Sequence, residues 1–211
     1  MGGCCASELG HPLTEFESGH VASLPRQFVV RLDGIGNEGL GLEVDIGDDV
    51  TASITKVLSD GAIPAWNQRN ARELAVQAGD HIVEVNGIRG SAKEIIANIK
   101  GGAELSVVIQ RPMEFLAAVR KEKVSDSVGL DIGYTHIGTT LLVCQVVAAG
   151  CVEKWNESHP DAAVRRNDRI IEVNGTRGKC KELMAKLTAK DTDLLRLVLT
   201  RCDGKGAPPP L

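Results

Sequence analysis

The sequence has few aromatic residues and no long apolar run. Phe, Trp and Tyr make up 3% of its 211 residues, so its cores must be built mostly from Val, Ile, Leu and Ala. No segment approaches the run of about 18 apolar residues that spans a bilayer, and no secretory hydrophobic segment opens the chain. Composition is otherwise ordinary, with 43% hydrophobic and 25% charged residues, and favours soluble globular domains.

An excess of positive charge is also absent. The formal net charge of −4 argues against a nucleic-acid partner. Six cysteines occur without a C-x-x-C motif or a suitably spaced histidine, which supports neither a disulfide framework nor a zinc site. The sequence shows no Ser/His/Asp set, paired carboxylates or phosphate loop. We therefore expect no cofactor, no metal and no enzymatic activity.

One stretch occurs almost twice. The segment IVEVNGIRG at 82–90 recurs as IIEVNGTRG at 170–178, and GLEV at 41–44 recurs as GLDI at 129–132. The two copies of the repeat are 88 residues apart. This period is longer than the solenoid units of about 20–50 residues and suits a small independent domain. The predicted segments are a lipid-anchor signal and spacer at 1–25, copy one at 26–112, copy two at 113–203, and a Pro/Gly-rich tail at 204–211.

Both copies show the same order of predicted elements, read from alternating apolar runs, helical periodicity and turn residues. In copy one we predict strands at 27–32, 40–46, 51–58, 81–85 and 104–110, and helices at 66–78 and 91–100. In copy two we predict strands at 114–120, 128–134, 139–147, 169–175 and 194–200, and helices at 155–164 and 180–187. This order predicts a mainly β fold, a small partly open barrel with two helices per domain.

Both copies resemble PDZ domains. GLGL at 39–42 resembles the family's carboxylate-binding loop, and GDHIVEVNG at 79–87 and NDRIIEVNG at 167–175 resemble its GD-x-I-x-x-V-N-G signature. The resemblance implies two consecutive PDZ-like, partly open β-barrels. It also implies that a peptide's C-terminal carboxylate approaches the loop's backbone N–H groups, while the peptide extends the sheet along the second strand beside the second helix.

The resemblance assigns a peptide-binding groove to each copy. The carried-over loop residues are Gly39, Leu40, Gly41 and Leu42 in copy one, and Ser127, Val128, Gly129 and Leu130 in copy two. Lys123 takes the place of a basic residue that the family often has ahead of the loop. Copy one lacks such a residue and has Glu38 beside its loop, so internal peptides or no ligand stay open for copy one.

The second helix reports on ligand preference in this family. The aligned positions are Ala92 and Cys180 at its start, with Ile96 and Met184 one turn later. Neither copy has the histidine that selects Ser or Thr, so the resemblance implies partner peptides with hydrophobic ends. A plain core role for Ile96 and Met184 is the alternative.

The N-terminal MGGCC resembles an acylation signal. It implies myristoylation of Gly2 and palmitoylation of Cys4 and Cys5, although Ala6 replaces the usual Ser or Thr. Residues 6–25 contain no Lys or Arg and read as a spacer. The alternative is a disordered tail with two idle thiols. We expect the protein at the cytoplasmic face of a plasma membrane or endomembrane, and otherwise in the cytoplasm.

Together these features predict a membrane-anchored adaptor that binds C-terminal or internal peptides of other proteins. A membrane-tethering structural protein that acts by PDZ self-association is the first alternative. A non-catalytic regulatory subunit, or a thiol enzyme that uses Cys180, is the second.

Overall fold

The computed structural model describes residues 26–35, 39–99, 104–135 and 138–202. Copy one contains β1 Gln27–Leu32, β2 Leu42–Asp45, β3 Ala52–Val57, α1 Ala62–Arg69, β4 His81–Val85, β5 Ile88–Arg89, α2 Ala92–Ile99 and β6 Leu105–Gln110. Copy two contains β7 Met113–Arg120, β8 Leu130–Gly133, β9 Leu141–Val146, α3 Cys151–Ser158, β10 Arg169–Val173, β11 Thr176–Arg177, α4 Cys180–Leu187 and β12 Leu194–Arg201.

Each copy forms one antiparallel sheet of six strands that does not close on itself. The order is β1-β6-β4-β3-β2 in copy one, with β5 on β4, and β7-β12-β10-β9-β8 in copy two, with β11 on β10. The predicted fold class is confirmed: each unit is mainly β, partly open and has two α-helices among its described residues. As a consequence of this order, β2 and β8 are edge strands with one free hydrogen-bonding side.

Two aliphatic cores hold these sheets, as the shortage of aromatic residues requires. In β7, for example, Met113, Phe115, Ala117 and Val119 alternate with more exposed residues, so one face of the strand is buried. Phe115 is the only aromatic residue among the fully buried large side chains of the described part. The period-2 pattern of the sequence therefore sets which face of each strand packs inward.

The first helix of each copy differs from its prediction. The sequence predicted helices at 66–78 and 155–164, but α1 and α3 begin four residues earlier and end at Arg69 and Ser158. The Asn67 side chain accepts the Val76 N–H and donates to the Val76 carbonyl, at 2.9 and 2.8 Å. Asn156 binds Val164 in the same way, at 2.7 and 2.8 Å. Backbone groups bound to a side chain are unavailable to a continuing helix, which accounts for the earlier end of α1 and α3. The rest of each predicted span contains one short 3-10 helix, at Arg72–Leu74 in copy one and at Pro160–Ala162 in copy two.

The repeated Asn-Gly pair is a structural turn. Asn86 and Asn174 have φ of 50° and 49°, a conformation that asparagine tolerates better than most residues. The Asn86 side chain accepts the Ser106 N–H, and the Asn174 side chain accepts the Arg196 N–H, both at 2.8 Å. Each turn thereby fixes the end of one strand to its neighbour, so the fold itself explains why VNG occurs twice.

Candidate functional site

The loop before β8 has a regular hydrogen-bonding pattern. The carbonyls of Ser127, Val128 and Gly129 accept the N–H groups of Cys151, Val152 and Val147, at 3.1, 3.0 and 2.9 Å. No described peptide bond is cis. Each carbonyl points away from the N–H of the next residue, so three N–H groups in succession, from Val128 to Leu130, face away from the backbone of residues 147–152. Such a run of amides is a concavity suited to an anion.

The loop of copy one keeps the same pattern. The carbonyls of Gly39, Leu40 and Gly41 accept the N–H groups of Ala62, Ile63 and Leu58, at 3.1, 3.0 and 2.9 Å. The N–H groups from Leu40 to Leu42 therefore face the corresponding side. Residues 36–38, which include Glu38, lie outside the described residues. The backbone device is thus present in both copies, although the sequences GLGL and SVGL differ.

A close backbone contact requires glycine in this loop. Gly129 has φ of +77°, and a Cβ atom there would lie 2.6 Å from Gly150 Cα. Gly41 and Gly61 make the equivalent approach in copy one. The loop can therefore lie against the start of the following helix only without side chains at these positions.

In copy two a cleft of about 340 Å³ opens beside this loop, between β8 and α4. Its apolar lining includes Val128, Leu130, Ile132, Met184 and Leu187. Leu130, Ile132 and Met184 are half-buried and pack against the core of copy two. An apolar cleft that ends at a row of amides suits a chain terminus with a hydrophobic side chain and a carboxylate.

The basic residues of this cleft differ from the predicted one. Lys123 is exposed, its N–H donates to the Asp126 carboxylate at 2.9 Å, and it is not among the cleft's lining residues. Lys121 and Lys190 line the cleft instead. Lys121 is 4% exposed, and its Nζ donates to the Ala189 carbonyl at 3.0 Å. Every second residue of β7 is buried, from Met113 to Val119. Continuing this alternation past the end of the strand would have predicted that Lys121 is buried too.

The predicted helix-start positions are buried in both copies. Ala92 and Cys180 have 0% exposure. The Ala92 N–H donates to the Asp49 carbonyl at 3.0 Å, and the Cys180 N–H donates to the Gly138 carbonyl at 2.9 Å. The loops after β2 and β8 thus cover the first turn of α2 and α4. Cys180 consequently contributes nothing to the lining of the copy-two cleft, whereas Met184 does.

The Cys180 thiol is poorly suited to nucleophilic chemistry. Burial raises its pKa, and its Sγ donates to the Thr140 carbonyl at 3.0 Å. Because the thiolate is the reactive form, a buried thiol with a raised pKa is a weak nucleophile at neutral pH. Within the described ranges there is also no group of three His, Cys, Asp or Glu side chains that could hold a metal.

Copy one offers a less complete version of the site. Leu40, Leu42 and Ile96 are partly buried against its core, beside the glycine loop. Asp33 follows β1 in copy one at the position where Lys121 follows β7 in copy two, so no lysine corresponds to Lys121. The loop geometry is therefore shared by the copies, but among the described residues only copy two has a lysine directly after its first strand.

The predicted lipidation residues Gly2, Cys4 and Cys5 lie outside the described residues. Among the helices that the structure describes, none is long and apolar enough to span a bilayer.

No protein-family model matches this sequence, and no curated protein matches it. Solved structures do show similarity. INAD PDZ45 in complex with NG2 peptide is 16% identical, with a TM-score of 0.38 over 89% of this chain and 93% of that chain. The PDZ domain from choanoflagellate GIPC is 24% identical, with a TM-score of 0.32 over 41% of this chain and 90% of that chain. MUPP1 PDZ4 is 20% identical, with a TM-score of 0.32 over 41% and 78%. Likenesses this distant carry no argument about ligands.

Proposed function

We propose that copy two binds C-terminal peptides with a hydrophobic last residue, and that the protein is a non-catalytic adaptor. The observation that carries this proposal is the row of three amides beside a cleft whose lining includes Leu130, Ile132 and Met184. The carboxylate would accept the N–H groups of residues 128–130, in part replacing the Ser127 hydroxyl, which now accepts the Gly129 N–H at 3.2 Å. The last side chain would lie against Leu130 and Met184.

Two further features support the same pose. Because β8 is an edge strand, an extended peptide can pair with its free side and add a strand to the sheet. Two lysines, Lys121 and Lys190, line the cleft against one carboxylate, Asp126, so its lining has an excess of positive charge that favours an anionic chain end. The described part of copy one has Asp33 in place of Lys121, so we propose that copy one binds such peptides more weakly.

Binding is tested with the full chain and a fluorescent peptide that ends in leucine, prepared as the free acid and as the C-terminal amide. Hydrogen bonds to charged groups contribute about 1.5–3 kcal/mol, so we expect the amide to bind at least about tenfold more weakly. Fluorescence anisotropy measures both affinities. Equal affinities for acid and amide would contradict a role for the carboxylate.

A matched pair of variants locates the site. Met184→Lys introduces a charge into the cleft of copy two and is expected to weaken binding of the free acid. Ile96→Lys is the corresponding change in copy one and should leave that binding unchanged. The reverse result would move the proposed site to copy one.

We also propose that the N-terminus anchors the adaptor to a membrane through myristoylated Gly2 and acylated Cys4 or Cys5. A single myristoyl chain gives only marginal binding, and the spacer at 6–25 has no cation to attract anionic lipids. Two signals are therefore needed. We expect Gly2→Ala to be soluble and the Cys4→Ser/Cys5→Ser double variant to associate only weakly, as measured by membrane fractionation. A double variant that fractionates like the wild type would contradict dual acylation.

A further inference from the structure

The two copies are in direct contact, and a buried arginine joins them. Arg169, at the start of β10, has a side chain that is only 3% exposed. Its Nη1 donates to Asp45 Oδ2 of copy one at 2.8 Å and to Thr140 Oγ1 of copy two at 3.3 Å. Gly47 also lies close to copy two, since a Cβ atom there would be 3.4 Å from Leu142 Cδ2. A cleft between the copies therefore has one wall from each copy.

One such cleft, of about 410 Å³, is lined by residues of both copies. Copy one contributes Val50, Val83 and Arg89, and copy two contributes Arg165 and Arg166. Val50 is 43% exposed and Val83 is half-buried, so both have apolar surface that a ligand can contact. The three arginines are exposed as well. We call this the arginine cleft, and the side chains that could hold a ligand in it are accessible to solvent.

The lining of the arginine cleft has an excess of positive charge. It contains four arginines, Arg89, Arg165, Arg166 and Arg201, against two aspartates, Asp48 and Asp168. Both aspartates are bound within the fold. Asp168 pairs with Arg201, and the Asp48 carboxylate accepts the N–H groups of Val50 and Thr51, at 2.9 and 2.7 Å. The cleft therefore suits an acidic ligand better than a basic one.

Arg166 is the arginine of this cleft whose charge is most available. Arg89 is already paired with Glu84, which lies outside the lining, at 2.8 Å. The Arg166 side chain forms no ion pair or hydrogen bond with any residue that the structure describes. An acidic side chain that enters the cleft can therefore pair with Arg166 without displacing a partner from the described part of the chain.

The chain enters copy one at the arginine cleft. Gln27, the first residue of β1, is part of the lining, and residues 1–25 precede the described part of the chain. An extended chain covers about 3.3 Å per residue, so the chain from Phe16 to Gln27 can span about 36 Å. The spacer that precedes β1 is therefore long enough to turn back into a cleft that borders its own attachment point.

The spacer at 6–25 has the chemistry that complements this cleft. It contains three Glu and no Lys or Arg. Two of these glutamates, Glu15 and Glu17, flank the one phenylalanine of the spacer, Phe16. The tail after Cys202 also leaves from the cleft, but residues 203–211 contain one Asp, one Lys and no aromatic residue. Charge and apolar surface therefore both favour the spacer over the tail.

We propose that residues 13–17 of the spacer bind in the arginine cleft, with the Phe16 ring against Val50 and Val83 and with Glu15 or Glu17 paired to Arg166. A segment bound there contacts both copies at once. It would hold the N-terminal part of the chain at the junction between the copies, away from the peptide cleft beside β8.

The test is an NMR measurement on the full chain, with protonated Phe rings and Val methyl groups in a deuterated background. The Phe16 resonances are identified by their loss in Phe16→Leu, and the methyl resonances by their loss in Val50→Ile and Val83→Ile. We expect nuclear Overhauser effects between the Phe16 ring and the methyl groups of Val50 and Val83. These effects should persist on dilution, because the contact lies within one chain.

Charge reversal supplies the second readout. Arg166→Glu should weaken these effects and move the Val50 methyl shifts toward their values in Phe16→Leu. Arg196→Glu makes the same charge change at an exposed arginine outside the cleft and should leave the effects unchanged. Adding Glu15→Arg and Glu17→Arg to Arg166→Glu should restore them.

Three results would overturn the proposal. Methyl groups of Val50 and Val83 that show no contact with Phe16 would mean that the segment does not bind in the cleft. Contacts of these methyl groups with the tail alone would assign the cleft to residues 203–211. Contacts with Phe16 that disappear on dilution would mean that a second copy of the chain supplies the segment.

Discussion

Asp168→Asn is expected to destabilise copy two by about 3–5 kcal/mol, because it leaves a buried charge without its partner. Arg201 holds both oxygens of Asp168 at 2.6 Å, and the two side chains are 4% and 1% exposed. The asparagine amide can accept from only one of the two guanidinium nitrogens, and its NH₂ group would face the other. The loss is measured as the free energy of unfolding in urea.

Asp80→Asn in copy one is the matched control. Arg111 Nε lies 3.7 Å from Asp80, while Arg111 Nη1 and Nη2 donate to the carbonyls of Glu73 and Ala75, at 2.6 and 2.9 Å. Burial raises the pKa of Asp80 to about 6. Its charged form is therefore disfavoured in the folded state, and neutralising it should cost much less than the same change at Asp168.

The raised pKa of Asp80 also determines how the stability of copy one changes with pH. A carboxyl whose pKa is higher in the folded than in the unfolded state stabilises the fold most when protonated, and this stabilisation is lost as pH rises through about 6. Wild-type copy one should therefore gain stability relative to Asp80→Asn as pH falls from 7 to 5.

Each copy has one tryptophan, so Trp155→Phe and Trp66→Phe backgrounds report the unfolding of copy one and copy two separately. Equal costs for Asp80→Asn and Asp168→Asn would contradict the different geometry of the two pairs.

The sequence predicts best what depends on local pattern. The observed bounds of β1, β4 and α4 are the predicted ones, at 27–32, 81–85 and 180–187. Alternation and helical periodicity mark these elements because each presents one face to a core. The start of α1 was missed because it is set by the glycine loop, whose carbonyls accept the first N–H groups of the helix. Its end was missed because it depends on the contact between Asn67 and Val76.

The candidate site also has parts that the local sequence predicts and parts that depend on contacts between distant segments. The loop from Ser127 to Leu130 could be found from sequence, because its glycine and its position before a strand are local features. Lys121 was missed because it precedes the loop by six residues and reaches the cleft only through the direction of β7. Arg169 could not be found at all. Its role depends on how the copies pack on each other, and no pattern within one copy encodes that packing.

Gly129→Ala is expected to remove peptide binding and to destabilise copy two by about 2–6 kcal/mol, since a strained φ and an overpacked contact each cost about 1–3 kcal/mol. The added Cβ would lie 2.6 Å from Gly150 Cα and 3.2 Å from the Val147 carbonyl oxygen. Relief requires the loop to move away from α3, and that movement would turn the amides of residues 128–130 out of register with a bound carboxylate.

Gly175→Ala separates the effect of backbone strain from the effect of the overpacked contact. Gly175 has φ of +78°, nearly the +77° of Gly129, but no heavy atom beyond its two chain neighbours lies within 4 Å of the position its Cβ would take. Only the backbone strain should remain, at about 1 kcal/mol, and the proposed peptide site in copy two should keep its affinity. Urea unfolding in the Trp66→Phe background, together with anisotropy of the free-acid peptide, measures both quantities. If Gly129→Ala costs no more than Gly175→Ala and still binds the peptide, the close approach to Gly150 does not hold the loop, and the outward-facing amides are not what binds the carboxylate.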